Sequence, residues 1–174
     1  FLSVLKAVNH KKSIAVYITS MGENPEKLFD FLNQEGDFAL ESKSDLKLLI
    51  INHTTNHLSF PIVESFITPE ERFNLPLQLA SLYEVLRVLL VKTSNDPRQV
   101  KNLKSILDTI KFYLKTHVKN PTNSKFEPEK LKKLREVWEV KYGISLEPET
   151  KYDQLLFYSL KNFAKDWEDV YQMG

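Results

Sequence analysis

His53 and His57 stand four residues apart, a spacing that would put two imidazoles on one face of a helix and let them share a metal ion. Their setting, Asn52-His53-Thr54-Thr55-Asn56-His57, is polar and turn-like, and it lacks the glutamate of a His-Glu-x-x-His site. The expectation is a surface loop with two exposed histidines. His10 and His117 lie beside lysines and are placed near helix ends, where an imidazole commonly meets the negative end of the dipole. Asn52-His53-Thr54 is also a formal glycosylation triplet, of a kind that arises by chance in many chains.

Other chemistries are absent by composition. The chain has no cysteine, which excludes disulfides, thiolate metal sites and cysteine nucleophiles. Only four glycines occur, and there is no phosphate-cradling loop, Gly-x-Ser-x-Gly elbow, kinase motif or calcium loop. The carboxylate pairs Glu70-Glu71 and Glu168-Asp169 are adjacent rather than convergent, as expected of a helix start and a solvated face. No catalytic residue, metal or cofactor is therefore expected, and a non-enzymatic role is the working expectation.

Charge is distributed more informatively. Residues 92–135 hold twelve Lys/Arg against four Asp/Glu, so a chain of net charge +1 conceals one strongly basic third. Lys111, Lys115, Lys119, Lys132, Lys133 and Arg135 are the candidate partner-binding set within it. Such a surface can steer an acidic protein segment into place. It can also attract the phosphates of RNA or DNA, or an acidic membrane surface. Lysine outnumbers arginine ten to two in this third, which weakens the nucleic-acid alternative, because bidentate phosphate and base contacts favour arginine. The C-terminal segment carries more aromatic residues than one stripe can bury, leaving Phe157 or Tyr171 as candidate exposed anchors.

The elements that would position these residues are helices. Asn24-Pro25, Thr68-Pro69 and Asp96-Pro97 each pair a capping side chain with a proline at a first helical position, and Thr68 to Glu71 has capping-box spacing. Pro128 and Pro148 follow glutamates and complete five helix openings. Val100, Leu103, Ile106, Leu107, Ile110, Leu114 and Val118 form one stripe after Pro97. Leu77 to Val91 is apolar nearly all round except for Glu84 and Arg87, which marks a central helix. One helix is expected from Pro148 to Tyr171, and four helices plus an opening turn from Pro69 to the end. Residues 14–19 and 46–51 are short and rich in β-branched side chains; short buried helices are favoured there, with a small α/β element in residues 1–67 as the alternative.

The expected fold is all-α: an irregular multi-helix bundle, or a short stack of helix pairs like a HEAT or armadillo array, in one domain over residues 1–174. A start at Phe1 is read as a fragment of a longer protein. No apolar run reaches the roughly 18 residues that span a bilayer, and an intracellular location is expected. The expected function is a scaffold or adaptor module that binds another protein, through an acidic or apolar segment held in a groove between helices.

Overall fold

The computed structural model describes residues 1–34, 37–66, 70–118 and 124–173, and among these there is helix and no strand. The helices are α1 (Leu2–Met21), α2 (Pro25–Leu32), α3 (Asp37–Ser59), α4 (Leu75–Lys92), α5 (Pro97–His117), α6 (Pro128–Tyr142), α7 (Thr150–Lys161) and α8 (Trp167–Tyr171). Two 3-10 turns, Pro61–Ser65 and Glu71–Phe73, carry the chain from α3 to α4. The two ambiguous segments are neither strands nor short helices. Residues 14–19 lie inside the 20-residue α1, and residues 46–51 lie in the middle of the 23-residue α3.

Proline marks helix starts largely as expected. Asn24 accepts from the Lys27 N–H at 2.9 Å ahead of Pro25, and Asp96 accepts from the Arg98 and Gln99 N–H groups at 3.0 and 3.1 Å ahead of Pro97. Pro128 opens α6. Pro148 does not open α7, which begins two residues later after Glu149. Thr68 and Pro69 lie outside the described residues. A further start is Asn74, which accepts from the Leu77 N–H at 3.1 Å with Pro76 in the first turn of α4.

The single C-terminal helix divides into two. α7 stops at Lys161, Ala164 adopts a left-handed φ of 55°, and α8 restarts on a capping box between Asp166 and Asp169. Phe163 and Trp167, on either side of the break, both turn inward, 9% and 2% exposed.

α4 is the axis. Every residue from Leu75 to Leu89 is buried, and α1, α2, α5, α7 and α8 all pack against it. α3 lies across α1 and α5, and α6 packs against α8. In a stack of helix pairs each repeat touches only its neighbours, so this arrangement is the irregular bundle. Gly22 makes the tight α1–α2 corner possible: a Cβ there would sit 2.1 Å from the Leu28 backbone nitrogen. Gly22→Ala is expected to lose about 1–3 kcal/mol by overpacking. Gly143→Ala, at φ 66° with open space around it, should lose only about 1–2 kcal/mol from left-handed strain. Urea unfolding of the two variants side by side checks the difference.

Candidate functional site

The two buried charges on α4, Glu84 and Arg87, are the centre of a buried polar cluster. Arg135 of α6 reaches across the core, its Nε and Nη2 donating to the Glu84 carboxylate at 2.9 and 2.6 Å. Its Nη1 and Nη2 also donate to Asp153 of α7 at 3.0 and 2.8 Å. Arg87 Nη1 lies 3.4 Å from the same Asp153, and its Nη2 donates to the Glu147 carbonyl. The Tyr171 hydroxyl donates to Glu84 at 2.6 Å and accepts from the Trp138 indole at 3.2 Å. Tyr83 donates to Glu149 at 2.9 Å, and Lys111 pairs with that carboxylate at 2.7 Å. Three cations therefore meet three carboxylates, Glu84, Asp153 and Glu149, where α4, α5, α6 and α7 converge.

Burial and the neighbouring carboxylates push the Tyr83 and Tyr171 phenols well above their ordinary range. Burial alone would lower Arg135, but Glu84 and Asp153 hold its charge firmly. Burial works against ionised Glu149 too, yet hydrogen bonds from Lys111 and Tyr83 keep it below the usual glutamate value. Arg135 and Asp153 border a cavity of about 470 Å³ beneath the α6–α7 connection. The Nε, Nη1 and Nη2 of Arg135 are all engaged by the two carboxylates, and Asp153 additionally accepts the Glu149 N–H at 3.0 Å. These bonds tie α4, α6 and α7 together through the core.

This geometry corrects several expectations about individual residues. Arg135, assigned to a basic binding face, is 6% exposed and belongs to the core cluster. Lys111 is one-fifth exposed and held between Glu149 and the Tyr152 ring, 4.7 Å away. Lys115 is exposed and lies 5.3 Å from the same ring. Lys132 and Lys133 are exposed on α6, and Lys119 lies outside the described residues. Phe157 is no exposed anchor: it is 6% exposed and its ring centroid lies 5.6 Å from that of Phe126. Tyr171 is half-buried with its hydroxyl committed to Glu84.

The histidine expectations fail for three of the four; only His117 sits where expected, at the C-terminal end of α5. His53 and His57 are helical rather than in a loop: His53 is buried, 5.3 Å from the Tyr113 ring, and the His57 ring meets His117 at a tilt, their centroids 3.8 Å apart. They help hold α3 to α5. His10 lies in the middle of α1, with its Nε2 3.3 Å from the Leu49 carbonyl oxygen. Among the described residues no three His, Cys, Asp or Glu side chains converge as metal ligands.

A shallow groove of about 730 Å³ runs between α3 and α5. Val100, Lys101, Lys104, Asp108 and Phe112 recur at helical spacing on one side of α5, and Lys47 and Ile51 face them from α3. Phe112 is 58% exposed and Ile51 42%. Three lysines thus edge an apolar strip against a single aspartate. Phe112 was legible as a residue off the buried stripe of Leu103, Ile106, Leu107, Ile110 and Leu114, a large apolar side chain with no core position to fill. Its neighbour across the groove was not, because α3 had no visible period. No protein family, curated protein or solved structure matches this chain. No helix among the described residues is long and apolar enough to cross a membrane.

Proposed function

We propose that the chain is a non-catalytic docking domain whose α3–α5 groove receives an amphipathic helix of a partner protein, acidic along its edges. One observation carries this reading: exposed Ile51 and Phe112 line the same groove as lysines 47, 101 and 104. Large apolar side chains held at a rim of like charge suit a partner that supplies apolar anchors and opposite charge together. From Pro97 to Phe112 the groove runs about 22 Å along α5, the length of roughly four helical turns. A helical occupant is favoured over an added strand because the described residues expose no sheet edge. The lack of cysteine suits an intracellular setting, where disulfides rarely persist.

The test uses two fluorescent probes: an acidic amphipathic helical peptide, with leucines at i, i+3, i+4 and i+7, and a single-stranded RNA of about 20 nucleotides. The peptide is expected to bind with a Kd of about 1–100 μM. Lys101→Glu with Lys104→Glu should weaken it at least tenfold while leaving helicity unchanged. Tighter RNA binding, with a log–log salt slope of about −0.7 per phosphate neutralised, would replace the protein partner with a nucleic acid.

A further inference from the structure

α3 carries apolar residues on two faces. Leu46 and Ile50 turn inward and are buried. Away from that face Leu48, Ile51, Thr55 and Leu58 are exposed, the three aliphatic members by 58%, 42% and 61%. Their spacing of three, four and three residues lines them up along about 15 Å of the helix surface. Alternation of three and four is the a and d pattern by which one helix packs against another. A single exposed leucine is ordinary, but a continuous row on a helix that already buries another face marks a contact surface.

The charge pattern identifies the occupant. Residues 48–63 contain no Asp, Glu, Lys or Arg, the longest such run in a chain of which 27% is charged. Interface centres are depleted of charge in this way. An uncharged row does not select an acidic or a basic partner, whereas it matches a second copy of itself. The match also has a register. An antiparallel pair centred on His53 sets Leu48 of one copy against Leu58 of the other, and Ile51 against Thr55, each an a residue facing a d residue. Lys47 then faces Ser59, and the two copies of Lys47 lie about 18 Å apart along the axis. A parallel pair would bring those like charges together.

We propose that the chain forms a weak two-fold homodimer through the exposed face of α3, with the two helices antiparallel. The proposal does not rest on the docking reading. The two surfaces share Ile51, while Leu48 and Leu58 lie outside the groove.

Sedimentation equilibrium of the whole chain over a range of concentrations is expected to show reversible dimerisation. The Kd should be about 10–500 μM, since a contact of three helical turns falls short of the roughly 800 Å² per partner of a standard interface. Leu58→Lys and Leu48→Glu, both at exposed positions, should each raise that Kd at least tenfold with helicity unchanged. Mixed in equal amounts, the two variants should form a heterodimer. The antiparallel register sets the new cation against the new carboxylate at one end and leaves a Leu48–Leu58 contact at the other. A chain that stays monomeric at millimolar concentration, a Kd unmoved by Leu58→Lys, or a mixture no heavier than its separate variants would each overturn the proposal.

Discussion

Arg135→Met is expected to destabilise the fold by about 3–5 kcal/mol, enough to leave little native protein in a domain of ordinary stability. Methionine fills much of the space but leaves Glu84 and Asp153 buried without their shared cation, and both are at most 2% exposed. The loss comes from Glu84 left without a cation, and Asp153 left with Arg87 alone, more than from the missing hydrogen bonds. Adding Glu84→Gln should therefore recover part of it, although that change removes a further native charge. A simple sum of independent contacts would make the double variant worse. Urea midpoints of the single and double variants decide between these outcomes.

A comparable effect is expected at alkaline pH. Tyr83 and Tyr171 are held protonated in the native state, while in the unfolded chain both titrate near the ordinary value of 10.0. A raised native pKa confers stability that is fully present below the unfolded value. It is lost as pH rises, because only the unfolded chain releases the protons. Above pH 10 the loss should approach about 1.4 kcal/mol per unit for each tyrosine. Urea midpoints should be flat between neutral pH and about pH 9.5 and then fall steeply. Tyr83→Phe should start lower, having lost its bond to Glu149, and fall less steeply. Phenolate absorbance showing that every tyrosine ionises near pH 10 with the fold intact would contradict this account of the core.

The sequence makes α4 and α5 plain: α5 buries a nearly aliphatic stripe, and α4 is apolar on so many sides that Gln78, Ser81, Glu84 and Arg87 do not hide it. α1 and α3 are hidden for a physical reason. The buried face of α1 runs Ala7, Val8, Lys11, Ile14, Ala15, Ile18 and Met21, a regular helical stripe with a lysine in it. Lys11 is 4% exposed, its Nζ 3.4 Å from the Val63 carbonyl and 4.4 Å from the centre of the Phe163 ring. Interrupted by that charge, the stripe looks like two short apolar pieces. α3 buries Ser42, Lys43, His53 and Thr54 alongside Leu46 and Ile50, so polarity again masks the period.

The same cause misplaced Arg135. Local charge excess describes a surface only when the charges find no partners inside. Glu84 lies 51 residues before Arg135 and Asp153 lies 18 after it, a convergence that no local pattern reveals. Glu84 and Arg87 stand out in the sequence as the only charges in a segment that must be central, and that is the local trace of the cluster. The groove is half legible: Lys101, Lys104 and Phe112 fall outside the buried stripe of α5, whereas Lys47 and Ile51 meet them only through the packing of α3.

The most direct test of the docking role is a ¹⁵N–¹H map of the backbone amides during titration with the acidic amphipathic peptide. Saturable shifts are expected to cluster at Lys47, Ile51, Val100, Lys104 and Phe112, and to disappear in Phe112→Glu, a change at an exposed position. Shifts centred elsewhere, or an equal response to a peptide with lysines in place of its acidic residues, would contradict the assignment of this groove.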